Sequence, residues 1–354
     1  MAYTTINKST DYFNTVTYTG TGSALNLTVG FQPDMYWIKS RSNAHSHVLG
    51  DAVRGIGNGT SKVSHPDLTA AEATCASGQG ITGVTSTQLQ LGSETNTSGS
   101  TNGASKTYVA WNWKANGGTG SSNTDGSITS TVSANTTSGF SIVSFTGTGS
   151  NATVGHGLGT APSLIIQKAR DSVLNWKVYH KSLGATKYIN FDEANPEGTA
   201  STIWNDTEPT TSVYSLGTGN TNTSSVNYIA YCFNEVKGFS KFGKYTGNGN
   251  ADGTFVYTGF KPAWIIQKAT TGAGLYWYIR DTKRSSYNVA DQKLAVNLAD
   301  AESSDGNNTI DILSNGFKNR TSLGHTNSSG TTYIYMAFAS APLVGSNNIP
   351  CTAR

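Results

Sequence analysis

Short runs in which large apolar residues fall at every second position recur along this chain, separated by stretches of Gly, Ser, Thr and Asn. In Tyr108-Val109-Ala110-Trp111-Asn112-Trp113, the residues Val109, Trp111 and Trp113 alternate with smaller or wetter neighbours. Tyr228-Ile229-Ala230-Tyr231-Cys232-Phe233 and Tyr333-Ile334-Tyr335-Met336-Ala337-Phe338 repeat the arrangement. A period of two predicts strands with one face on a core and the other face turned away from it. A second kind of run follows a proline: Pro33-Asp34-Met35-Tyr36-Trp37-Ile38-Lys39, Pro162-Ser163-Leu164-Ile165-Ile166-Gln167-Lys168 and Pro262-Ala263-Trp264-Ile265-Ile266-Gln267-Lys268. These are apolar at consecutive positions, which predicts central strands covered on both faces. Proline at the strand start is where its missing N–H is tolerated. Helix is scarce in this pattern, and only Val289 to Ala301 is given a helical turn or two.

A third marker precedes each proline run. Tyr18-Thr19-Gly20-Thr21-Gly22, Phe145-Thr146-Gly147-Thr148-Gly149 and Tyr245-Thr246-Gly247-Asn248-Gly249 place an aromatic residue before a Gly-x-Gly pair. The glycines are read as the positive-φ positions of tight hairpins. None opens a helix or completes a phosphate-binding motif, so a phosphate cradle is not expected. Three markers in one order, three times over, predict an internal repeat. The expected fold is all-β: three tandem β-sandwich, jelly-roll-like modules of about 100 residues each, a size that supports a core of its own. The boundaries drawn are 1–118, 139–238 and 239–344, with a Gly/Ser/Thr-rich linker carrying one short strand over 119–138 and a tail over 345–354. The near-absence of sequence between the second and third units predicts that they dock as a pair, with the first placed more independently.

Composition narrows the class. Of 354 residues, 49 are Thr, 41 Ser, 31 Asn and 40 Gly, while charged residues make up 13%. That excludes a helical bundle, and the 7 Trp, 17 Tyr and 12 Phe argue against wholesale disorder. A net charge of +3 with no basic stripe makes nucleic acid an unexpected partner. No signal peptide and no membrane span are read. Cys75, Cys232 and Cys351 are scattered and form no disulfide framework or zinc motif.

Candidate chemistry is sparse. His45 and His47 would share a face on a strand and are weak metal candidates, although the reading is that no metal and no cofactor is bound. Asp51-x-x-Arg54 and Asp281-x-x-Arg284 match between the first and third units, where the second has His180 and Leu183; they are read as turn-stabilising surface pairs. No catalytic set appears at motif spacing, so no enzyme is expected. Trp176 and Trp277 align and are read as core, which would turn Tyr276 and Tyr278 outward. With Trp204 these are the carbohydrate-stacking candidates, a role they share with packing against a neighbouring subunit.

The runs Ser127-Ile128-Thr129-Ser130-Thr131-Val132-Ser133-Ala134-Asn135, Gly155-His156-Gly157-Leu158-Gly159, Tyr228 to Phe233 and Ser314-Asn315-Gly316-Phe317-Lys318 resemble a family of virion structural proteins of marine tailed bacteriophages. The resemblance covers almost the whole chain and implies a phage structural protein associated with tails or fibres. It carries over no catalytic residues. The expectation is a non-enzymatic surface component that contacts host glycans, assembled in the host cytoplasm into the virion as a homo-oligomer, a trimer on symmetry grounds, beside other virion proteins. A capsid decoration (cement) protein is the alternative, and a polysaccharide depolymerase a third.

Overall fold

A computed structural model describes residues 3–94, 100–304, 306–345, 347 and 349. Cys351 and most of the tail over 345–354 lie outside the described residues. The fold is all-β, with antiparallel pairing throughout the named strands. Among the described residues helix is limited to Ser201–Trp204 and a 3-10 turn at Ser9–Asp11. Val289 to Ala301 is not helical: Ala290 and Lys293 form isolated bridges and Leu294–Ala295 is a short strand. The β-bridging of this stretch onto Ile310 and Ser303 overrides its mild helical pattern.

One strand trio recurs three times. The opening strands Phe13–Thr19, Phe140–Thr146 and Ser240–Thr246 pair with the closing strands Thr107–Trp113, Asn227–Phe233 and Thr332–Pro342. Each closing strand then pairs with a proline strand, Met35–Ser40, Leu164–Ala169 or Phe260–Ala269. Register is shared too, with Tyr18 opposite Tyr108, Phe145 opposite Tyr228 and Tyr245 opposite Tyr333. Beyond each proline strand lies a flanking strand, Val48–Asp51, Lys177–His180 or Tyr278–Asp281. Three smaller sheets cover the outer faces: Leu25–Thr28 with Ile81–Val84 and Gln88–Leu91, Ala152–Gly155 with Val213–Leu216, and Phe255–Tyr257 with Ile310–Leu313 and Gly316–Asn319.

Both faces of the closing strands are therefore buried, and the second face is not wet. Tyr108 and Ala110 pack under the first outer sheet with Leu27, Ile81 and Leu89. Tyr228 and Ala230, and then Tyr333, Tyr335 and Ala337, do the same in the other two layers. The inner faces of all three large sheets share one core, which joins Trp37, Trp111 and Trp113 to Trp176, Tyr231 and Phe233 and to Trp264, Trp277 and Phe338.

At its centre, the last apolar residue of each closing strand meets its two counterparts. The ring centroids of Trp113 and Phe233 are 6.5 Å apart, those of Trp113 and Phe338 5.7 Å, and those of Phe233 and Phe338 5.8 Å. All three contacts are edge-on, at 64°, 72° and 65°, the geometry that aromatic quadrupoles prefer. Three equivalent rings in mutual contact define a pseudo-threefold axis within one chain. The first unit is consequently not set apart, and it joins the others through the shared core. The segment over 119–138 is no linker either. Ser121–Asn123 and Ser130–Asn135 are two strands that extend the second large sheet beyond Phe140–Thr146.

Candidate functional site

The polar chemistry of this molecule gathers at the seams between neighbouring units. The residue before each flanking strand reaches across a seam. Trp176 Nε1 donates to the His65 and Leu68 carbonyls at 3.0 and 3.2 Å, and Trp277 Nε1 donates to the Asn190 carbonyl at 2.9 Å. In the first unit the equivalent residue is His47, whose Nε2 lies 2.9 Å from the Ala295 carbonyl. A parallel set runs through the backbone, with Glu72 N–H donating to Arg170 O, Glu197 to Thr270 O and Glu302 to Arg41 O. Each unit holds the next, and the third returns to the first, so the ring is closed.

The Asp-x-x-Arg pairs sit inside two of these seams and are not surface pairs. Asp51 and Arg54 are fully buried, with Arg54 Nε 2.6 Å from Asp51 Oδ2. Across the seam the Tyr231 hydroxyl donates to Asp51 at 2.8 Å. Asp281 and Arg284 repeat the 2.6 Å contact, and Trp111 Nε1 donates to Asp281 at 3.1 Å. Arg54 continues to Glu72 and on to Arg170, while Arg284 continues to Glu302 and on to Arg41. Burial works against the Arg54 charge, but Asp51, Tyr231 and Glu72 outweigh it and hold the guanidinium protonated.

The third seam is built differently. His180 and Leu183 replace Asp and Arg, and the closing-strand residue equivalent to Trp111 and Tyr231 is Met336, which has no proton to donate. His180 Nε2 lies 3.3 Å from the Tyr335 carbonyl, and burial takes its pKa down to about 4. Thr270 stands where the other seams have Arg41 and Arg170, so Glu197 pairs with Lys187 of its own unit. An ionic acceptor is thus present where an aromatic donor faces it and missing where none does.

The repeated lysines also turn inward. Lys39, Lys168 and Lys268 are at most 1% exposed, and burial lowers each to a pKa of about 8. Lys39 Nζ donates across a seam to Ala299 O at 3.0 Å, and Lys168 Nζ to Thr69 O at 2.8 Å. Lys268 Nζ donates to its neighbour Ala269 O at 3.0 Å and makes no cross-seam bond among the described residues.

The Gly-x-Gly loops are hairpin turns whose two glycines have different jobs. The second of each pair has positive φ, at 73°, 75° and 65° for Gly22, Gly149 and Gly249. The first does not. A Cβ on Gly20, Gly147 or Gly247 would instead run into the carbonyl oxygen of Gly103, Thr223 or Ser328. An asparagine locks each loop: Asn102, Asn222 and Asn327 accept from Thr21, Thr148 and Asn248 N–H at 3.0, 2.8 and 3.1 Å. The backbone donors that a phosphate would need are therefore already used within the loops.

The remaining predicted residues do not converge on a site. Trp204 is 2% exposed and packs edge-on against Tyr179 and Tyr214, so neither of its faces is open to a sugar. Tyr278 is buried beneath His325, because the strand it begins is covered by an outer loop. Tyr276 is half-buried and stacks on His325 at 5.1 Å. His45 and His47 are not paired on a strand. His47 is buried, its Nδ1 accepts from Trp37 Nε1 at 2.8 Å, and burial lowers its pKa well below the usual value. His45 lies 3.4 Å from Lys106 Nζ. Among the described residues no group of three His, Cys, Asp or Glu is placed to hold a metal ion. Among the described residues no helix is long and apolar enough to cross a membrane.

Two polar grooves open where the closing strands end. One, of about 530 Å³, is lined by residues of the N-terminal lead, Thr136, Thr137 and the segment Asn234 to Lys237. The other, of about 340 Å³, runs beside Gln32, Asp34 and Lys114 to Gly117. Asp34 anchors the second by accepting from Ala115 and Gly117 N–H at 2.7 and 3.1 Å. Neither groove was legible along the chain, because each is assembled from turns far apart in it.

Geometry and topology together define an all-β protein in which three related units close around an axis inside one chain. The chain belongs to the family described as a domain of unknown function (DUF7483), whose model matches residues 8–342. No curated protein and no solved structure matches it.

Proposed function

We propose that this chain is a non-enzymatic structural component of a tailed-phage particle, displayed on the tail or its fibres and touching host surface glycans. The observation that carries the reading is the internal threefold, with Trp113, Phe233 and Phe338 packed round one axis. A body that holds threefold symmetry within one chain matches a threefold point of a larger assembly without needing a partner copy. The hydroxyl- and amide-rich composition and the polar grooves suit weak, repeated contact with sugars that adds up by multivalency. Seam carboxylates bound into arginine chains serve cohesion in this reading, not turnover.

The same symmetry suits a decoration protein seated over a threefold point of the head shell. Immunogold labelling of purified particles with antibody to this chain separates the two. Gold on tails, at a copy number matching the tail, is the expected result. Gold on heads favours decoration, and particles without the chain refute both. Light scattering of the purified chain separates the internal threefold, which predicts a single copy of 37.2 kDa, from the homotrimer expected on symmetry grounds, which predicts three copies.

A further inference from the structure

Beside the larger groove, the surface carries a cluster of three aromatic rings, two of which have an ammonium group at one face. Tyr3 at the groove rim is fixed by its hydroxyl, which donates to the Gly259 carbonyl at 2.8 Å. Next to it, Phe255 and Tyr257 point outward from the edge strand Phe255–Tyr257, at 44% and 50% exposure, while Val256 between them is buried. Lys237 Nζ stands 4.4 Å from the Tyr3 ring centroid and Lys241 Nζ 5.6 Å from that of Tyr257. Neither ammonium pairs with a carboxylate among the described residues. Along the groove the exposed hydroxyls of Thr5, Thr136 and Thr137 supply hydrogen-bonding groups, and the Glu235 carboxylate is taken up by Lys181 and the Phe242 N–H.

We propose that this corner is a binding site for an acidic polysaccharide, a polymer of uronate-type sugars. The inference rests on the glycan-contact reading above and names both the place and the charge of the sugar. A pyranose presents an apolar C–H face and a polar edge. Here the exposed ring of Phe255 meets the first and the threonine-lined groove meets the second, while Lys237 and Lys241, seated against Tyr3 and Tyr257, meet the carboxylates. A protein partner would call for a larger continuous apolar patch. Single-stranded nucleic acid also uses aromatic rings and cations, but it needs a basic track for successive phosphates. Two lysines beside a hydroxyl-lined groove fit the spaced carboxylates of a uronate polymer better.

Affinity electrophoresis of the full chain in gels containing polygalacturonate, dextran or a single-stranded oligonucleotide tests this. Polygalacturonate is expected to retard the chain, less so at high salt, while dextran and the oligonucleotide do so weakly or not at all. Tyr257→Ala and the double variant Lys237→Gln/Lys241→Gln should each lower the affinity about tenfold, with thermal unfolding unchanged because all three side chains lie at the surface. Equal retardation by the oligonucleotide, no retardation by polygalacturonate, or retardation that the variants leave intact each overturns the assignment. In the last case sugar binding itself persists, so the broader glycan reading survives the loss of this site. Failure of the purified chain to adsorb to host cells would instead remove that broader reading.

Discussion

The seam that joins the first and second units can be tested by a substitution whose cost follows from its geometry. Arg54→Leu removes a guanidinium that contacts Asp51, Ser64, Glu72, the Leu49 carbonyl and the Tyr231 hydroxyl. What remains is the Asp51 carboxylate, fully buried, with only the Tyr231 hydroxyl and a backbone N–H to hold it. Removing one partner of a buried ion pair costs about 3–5 kcal/mol, because the other charge stays desolvated. The double variant Asp51→His/Arg54→Leu installs the pair that the second unit carries naturally and leaves no uncompensated charge at Asp51. Its residual cost is that of a Tyr231 hydroxyl with a weaker acceptor, about 1–3 kcal/mol. Urea unfolding followed by tryptophan fluorescence measures both. The double variant is expected to be more stable than the single variant despite carrying one substitution more. A single variant within about 1 kcal/mol of the parent, or a double variant no better than the single, would refute the seam argument.

Three further outcomes follow from the same structure. Phe338→Ala takes one ring out of the axial triad and should cost about 3–5 kcal/mol in urea unfolding, since its two partners cannot collapse into the space together. Gly247→Ala places a methyl group against the Ser328 carbonyl and should cost about 1–3 kcal/mol, read as a lowered melting temperature. The buried lysines set the alkaline behaviour: their folded pKa of about 8 lies below the ordinary 10.5, so between these values the unfolded chain binds more protons. Stability should therefore rise from pH 8 towards pH 10, and Lys268→Met should both raise the melting temperature at pH 7 and flatten that rise.

The strand trios were legible because strand periodicity and the markers at Tyr18, Pro33 and Tyr108 are local signals, repeated twice more. The closing of the ring was not. His47 is the counterpart of Trp176 and Trp277, and no rule of residue similarity would align an imidazole with two indoles; only the shared cross-seam carbonyl contact equates them. The absence of an Asp-x-x-Arg pair from the second unit read as loss of a surface feature. What accompanies it, Met336 across the seam, is distant in sequence and has no motif. Tyr278 was a candidate because alternation about the core residue Trp277 would turn it outward, whereas His325 from a distant turn covers it, and Trp204 is enclosed by Tyr179 and Tyr214. Strand pairing also recruited the Ser- and Thr-rich stretch from Ser121 to Asn135, whose composition alone suggested a tether.

Joining three units on a single polypeptide frees each boundary to change alone. In an assembly of identical copies, replacing Arg with Thr at the position of Thr270 would break every boundary at once, whereas here two boundaries keep their arginine–glutamate link and one has exchanged it for Lys187 and Glu197. The outcome is a body whose three sides can be told apart, so that each boundary can be strengthened, weakened or rebuilt without disturbing the other two.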